Sequence, residues 1–214
     1  MRVAIAGGHG KIGLRLTGLL AGRGAEVRSL IRHPDHDDEV RAAGAEPVVC
    51  DLELASIAEL AEALGEVDAV VFAAGAGPGS GAERKETVDY GGAVKLAAAA
   101  KQSGIDRYLM ISSKGADSQA EGDDTFAVYQ RAKGRADEVL QQSDLAYTIV
   151  RPTMLSDDPG TGRVQVGERV ERAEVPRDDV AAVLAASLAS EATIGKTFEV
   201  TGGEVPIEEA VASL

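Results

Sequence analysis

Residues 7–13 read Gly-Gly-His-Gly-Lys-Ile-Gly and follow directly on the β-like run Arg2–Ala6. Gly7, Gly10 and Gly13 stand three apart, and a helix-period segment, Lys11–Ala21, opens inside the motif. Each glycine has a mechanical reason to be there. Gly7 permits the tight turn, Gly10 lets the backbone approach a pyrophosphate, and Gly13 lets the helix pack close to the strand. The helix start then offers unpaired N–H groups and the positive end of its dipole to phosphate. The motif therefore predicts dinucleotide binding, with Gly7, Gly10, Lys11, Ile12 and Gly13 as its cradle. A purely structural turn is the alternative.

The rest of the chain repeats the strand-then-helix rhythm. Strand candidates are Arg2–Ala6, Glu26–Ile31, Glu46–Cys50, Ala69–Ala73, Arg107–Ser112, Tyr147–Val150 and Thr197–Thr201. Several are nearly continuous apolar runs, which suits strands covered on both faces of a parallel sheet. Helix candidates are Lys11–Ala21, Asp37–Ala43, Ser56–Leu64, Glu83–Ser103, Phe126–Ser143 and Asp178–Ala189. Ser56 with Glu59 reads as a capping box, and Gly44, Gly65 and Gly104 stand where helices should stop. The alternation predicts an α/β fold, a doubly wound parallel sheet in three layers. Without repeats or a linker, residues 1–214 read as one domain. Residues 153–176, with a hairpin expected from Arg163–Val166 and Arg169–Val175, and residues 202–214 are expected to form a small substrate-side cap. The loops 75–82 and 115–125 follow strands and should border the site.

Composition narrows the partners. A net charge of −13 repels phosphate backbones, so nucleic acid is not expected. No apolar stretch reaches the length of a membrane span, and the start lacks a signal-peptide core. The lone cysteine, Cys50, allows no internal disulfide and reads as a buried, inert thiol. His9, His33 and His36 lack the spacing of a helical metal pair, so no metal is expected. A cytoplasmic protein with a small-molecule substrate, monomeric or homodimeric, is the expectation.

The second strand ends Ser-Leu-Ile-Arg-His. Ile31 stands where an NAD site usually carries an acid for the ribose hydroxyls, and Arg32 follows. A guanidinium suits a 2′-phosphate, so NADP is favoured over NAD. The alternative for Arg32 is an exposed strand-end residue.

Across some 150 residues the motifs line up in one order. They are Gly-Gly-His-Gly-Lys-Ile-Gly, Asp51-Leu52, Ala73-Ala74-Gly75, Ser112-Ser113, Tyr129 with Lys133 four residues on, and Val150-Arg151-Pro152-Thr153. In that order the chain resembles the short-chain dehydrogenase/reductase superfamily of Rossmann folds. The resemblance is to its atypical branch of NmrA-like and biliverdin/flavin-reductase-like proteins. It implies that Asp51 bonds the adenine amino group, Leu52 lies on the ring, and Ala73 and Ala74, for which strand packing is the alternative, line the ribose with Gly75 beside the cofactor. Pro152 and Thr153 would flank the nicotinamide. A helix cap or turn is the alternative for Asp51. Many extended members carry Asn on the long helix after the fourth strand; here Asp89 is nearest, and it reads as a solvated helix residue.

Tyr129 and Lys133 project from one helix face. An ammonium favours the phenolate, so Tyr129 could give a proton to a carbonyl oxygen while Ser112 or Ser113 polarises it. Lys133 could also hold the nicotinamide ribose. The acidic loop bearing Asp117, Glu121, Asp123 and Asp124 reads as a solvated stretch. The sequence thus favours an NADPH-dependent reductase of a small carbonyl, quinone or flavin-like acceptor. The alternatives are a non-catalytic NADP-sensing protein and a nucleotide-sugar epimerase-like enzyme.

Overall fold

The computed structural model of the protein describes residues 1–77 and 79–214. Pro78, inside the loop expected to border the site, lies outside the described residues. Seven parallel strands form the frame: β1 (Arg2–Ala6), β2 (Glu26–Ile31), β3 (Ala45–Val49), β4 (Ala69–Phe72), β5 (Arg107–Ile111), β6 (Ala146–Pro152) and β10 (Lys196–Gly202). Their spatial order is β3-β2-β1-β4-β5-β6-β10. Beyond β10 the sheet continues antiparallel through β8 (Arg163–Gly167) to the two-residue β11 (Val205–Pro206), making nine strands.

The strands are apolar on both faces because helices cover both, giving the expected three layers. Val3 to Ala6 of β1 have no exposed surface. On one face Val3, Ile5, Leu109 and Phe198 pack against α1 (Lys11–Gly22), α7 (Arg177–Ala189) and α8 (Ile207–Ala212). On the other, Val70, Phe72, Tyr108 and Met110 pack against α3 (Ile57–Leu64), α5 (Ala93–Gln102) and α6 (Thr125–Gln141). A short α2 (Asp37–Ala42) leads into β3. The α3 capping box forms as its sequence predicts, and Gly44, Gly65 and Gly104 adopt positive φ. Among the described residues no helix is long and apolar enough to cross a membrane.

The hairpin expected in 163–175 does not form. β8 pairs with β10, while β9 (Glu174–Pro176) pairs in parallel with β7 (Met154–Ser156). Val164 and Val175 are fully buried in these separate pairings, so tertiary partners decide the matter over proximity in sequence. The helix expected over 83–103 also changes register. A single turn, α4 (Ala82–Arg84), runs into a π-helical stretch, Lys85–Gly92, before α5 begins. Gly91 and Gly92 end that stretch, and a Cβ on Gly92 would lie 3.5 Å from Leu52. The wider winding turns Lys85, Val88 and Asp89 inward.

The open edge at β3 carries Pro47. The Cys50 N–H, just past the strand, donates to Ile31 of β2, so by strand alternation the backbone of residue 47 faces outward.

Candidate functional site

From β1 the chain steps to β2 and β3 on one side, then crosses back to β4 on the other. In doubly wound sheets such a reversal opens a crevice at the carboxyl ends of the strands. Two adjoining cavities lie there. One, of about 450 Å³, runs from the glycine turn to the ends of β2 and β3 and is lined by Gly7, Gly10, Lys11, Ile12, Arg32, Asp51 and Leu52. The other, of about 510 Å³, is lined by Ser112, Thr125, Phe126, Tyr129, Lys133 and Lys85. Ile12, Ala73, Ala74, Gly75 and Leu155 border both.

The glycine turn is shaped as the spacing predicts. Gly7 has φ +81°, and a Cβ there would come within 2.6 Å of the Ala74 backbone. A Cβ on Gly13 would meet the Gly7 carbonyl at 2.4 Å. Gly10 is exposed and caps α1 by backbone alone. Among the described residues no side chain caps this helix start and its first turn has no acid. The α3 start, by contrast, is closed by Ser56 and Glu59. The open, uncapped turn beside Lys11 fits a pyrophosphate, whose oxygens complete the unpaired N–H groups. Lys11 and Arg177 meanwhile share Asp157, at 2.5 and 2.9 Å.

At the far end of this cavity Arg32 is 43% exposed. Its Nε donates to His33 Nε2 at 2.9 Å, and its Nη1 lies 3.9 Å from Glu53. Glu53 accepts from Arg84 and Thr87, and these bonds hold its carboxyl below the usual range. Asp51 is half-buried and accepts the Glu53 N–H at 2.8 Å, so it shapes a turn while bordering the cavity. Leu52 is buried. Cys50 is half-buried rather than sealed, because β3 is an edge strand; burial, with Glu59 and Asp51, raises its thiol pKa.

In the second cavity Asp89 departs from the expected solvated position. The π-helical winding buries it, and its Oδ1 pairs with Lys133 Nζ at 3.2 Å. Its Oδ2 accepts the Ala76 N–H. Lys133 also donates to the Ile111 carbonyl at 3.1 Å. Burial works against the lysine charge, but Asp89, Tyr129 and Asp137 outweigh it and hold the pKa above the ordinary value. Lys85 Nζ donates to the Gly77 carbonyl and stands 5.3 Å from the Tyr129 ring centroid.

The serines separate. Ser112 borders the cavity, but its hydroxyl donates to buried Asp137 at 2.9 Å, which also accepts from Arg151. Ser113 donates to the Lys114 carbonyl and lies outside both linings. Pro152 and Thr153 lie outside them too, since Thr153 is tied to Val200 and Thr201 of β10. Leu155 of β7 takes the bordering position instead. The acidic loop is solvent-exposed at Asp117, Glu121, Asp123 and Asp124, and Asp124 caps α6. Sequence reasoning missed Asp89 as a buried partner, and also Lys85, Glu53 and the histidines. For Asp89, its place beside the family's Asn was the available signal.

Fold and crevice together define a nucleotide-binding α/β protein. The chain belongs to the NAD(P)H-binding family, whose model matches residues 7–191. It is 38% identical over the full length of both chains to an uncharacterized sugar epimerase, YhfK, of Bacillus subtilis (strain 168). Among solved structures, a candidate NAD-dependent epimerase/dehydratase of Bacillus halodurans is 39% identical, with TM-score 0.93 and all of both chains covered. The oxidoreductase ylbE of Lactococcus lactis is 27% identical, with TM-score 0.87, covering 100% of this chain and 96% of that one.

Proposed function

We propose that the protein is an NADPH-dependent reductase acting on a small carbonyl, quinone or flavin-like acceptor. The observation that carries this reading is the buried Asp89–Lys133 pair beside Tyr129, in a cavity continuous with the glycine-turn crevice. When bound, NADPH supplies a hydride. Tyr129 donates the matching proton to the acceptor oxygen. Lys133, fixed by Asp89 and the Ile111 carbonyl, keeps a positive charge nearby that favours the phenolate left behind. Ser112 is committed to Asp137 and acts on the acceptor only by giving up that bond. Phe126 and Leu155 provide apolar walls suited to a flat ring. Ala73, Ala74 and Gly75 leave room for a ribose between the two cavities, and Arg32 at the end of β2 favours the 2′-phosphate.

The test is NADPH oxidation over a panel of quinones, flavins and aldehydes. Turnover is expected with at least one, and Tyr129→Phe should lower kcat about 100-fold or more while leaving NADPH affinity within about twofold. Tight NADPH binding with no turnover on any acceptor, and no effect of Tyr129→Phe, would establish a cofactor sensor instead. The names carried by the two Bacillus relatives favour a second reading, epimerisation of a nucleotide sugar. That reaction returns its coenzyme unchanged, so product formation from sugar nucleotides without net NADPH loss would select it.

A further inference from the structure

All three histidines of the chain meet in one cluster, and two of them, His9 and His36, line the glycine-turn cavity. His9 comes from the glycine turn; His33 precedes, and His36 closes, the 3₁₀ turn Pro34–His36 that follows β2. The rings of His9 and His36 stack with centroids 3.6 Å apart and planes 7° from parallel. His33 meets His36 edge-on at 5.8 Å. His9, Arg32 and His36 all border the cavity. Among the described residues no group of three metal-ligating side chains converges as a metal site.

The hydrogen bonds assign roles within the cluster. Arginine has donors only, so the bond from Arg32 Nε makes His33 Nε2 an acceptor and its ring neutral. His33 thus orients the Arg32 guanidinium. A second positive charge on His33 would cost that bond. His9 and His36 are differently placed. Two imidazoles face to face at 3.6 Å repel each other as cations, and holding both protonated takes more negative charge than one carboxylate supplies. Burial, with His9 and His33, pulls the His36 pKa below its ordinary value. Glu39 and Asp35 act the other way, and His9 Nε2 lies 3.0 Å from Glu39. Arg32, which bonds His33, is linked through Glu53 to Arg84, and Lys11, Asp51 and Arg177 border the same cavity. A dianion delivered beside the pair would add to the single negative charge that Glu39 places at His9 and so favour the doubly protonated state.

We infer that His9 and His36, with Arg32, form the seat of the coenzyme 2′-phosphate. Proton uptake by the histidine pair then makes the preference for NADP(H) over NAD(H) rise as pH falls. This rests on the reading of the crevice as an NADP site and adds to it a second set of contacts and a sign. Histidine is the side-chain type that changes charge between about pH 8 and pH 6.5, above the carboxylates and below lysine and arginine. A phosphate monoester loses its second charge near pH 6, so the effect is sought above that. Lys11 and Arg177 border the same cavity and are held by Asp157, and any contact they make with the pyrophosphate is common to both coenzymes and cancels in the ratio of the two affinities.

The experiment is titration calorimetry of the whole protein with NADP⁺ and NAD⁺ from about pH 8 to about pH 6.5. The ratio of dissociation constants, NAD⁺ over NADP⁺, should rise about three- to tenfold, since one linked proton gives at most about tenfold per pH unit. Repeating the NADP⁺ titration in buffers of different ionisation enthalpy should show proton uptake. A phosphate pressed against fixed cations would instead release a proton. His9→Gln with His36→Asn should flatten the ratio, and NAD⁺ affinity within about twofold of the parent shows that the crevice is intact. A flat ratio in the parent, proton release, or a slope that survives the double substitution overturns the inference while leaving the NADP site standing. Binding of neither coenzyme at any pH overturns the site reading and the inference with it.

Discussion

Asp89 shows how far one side chain can depart from its local sequence. It sits among Thr87, Val88 and Tyr90 in a stretch that reads as an ordinary solvated helix face, yet it is 1% exposed and neutralises Lys133. A buried ammonium without its partner is costly, so Asp89→Ala should destabilise the fold by about 3–5 kcal/mol, read from urea denaturation. Asp89→Asn keeps the shape and removes the charge. Because Asp89 raises the Lys133 pKa, that substitution should move the basic limb of the pH–rate profile to lower pH, with turnover of the accepted substrate as the readout. The glycine turn, Arg32, Tyr129 and Lys133 border the crevice where their places after strands and on one helix face put them. Asp89, Glu53 and the His9–His36 stack were not legible, because each is defined by a neighbour distant in sequence. For Asp89 and Lys133 the gap is 44 residues, bridged only once two helices pack.

At the level of the elements, legibility followed burial pattern and punctuation. The strands of the parallel frame appear within about three residues of where their apolar runs place them, since a strand sandwiched by helices leaves an uninterrupted run. The α3 start is written in its caps: Ser56 accepts the Glu59 N–H and the Glu59 carboxylate accepts the Ser56 N–H. Ser56→Ala should therefore cost about 1 kcal/mol in thermal or chemical denaturation, with NAD(P)H affinity unchanged, because α3 lies away from the glycine turn. Two elements escaped. The π-helical register of 85–92 depends on Leu52 and Lys133 approaching from other segments. β8 and β9 look like a hairpin because they are neighbours in sequence, yet β8 pairs with buried β10 and β9 with the short β7.

Across the whole molecule, the nine-stranded sheet separates two apolar cores, and the central strands β1, β2, β4, β5 and β6 contribute side chains to both. Loss on one face should therefore weaken the entire structure together. Phe198 of β10, 1% exposed, tests this: Phe198→Ala should cost about 3–5 kcal/mol and still give a single denaturation transition, with fluorescence and circular dichroism changing in step. The doubly wound order was foreseeable because strand and helix alternate with few exceptions, and it places the crevice at the reversal between β1 and β4. The flanks of the sheet carry a different consequence. One ends on a two-residue strand, and the other turns a proline outward where a hydrogen-bond donor would be needed. Lateral zippering of neighbouring molecules meets a missing rung on one side and too short a ladder on the other, so helical surfaces are left as the favoured ground for self-association, and a common route into fibrils is blunted.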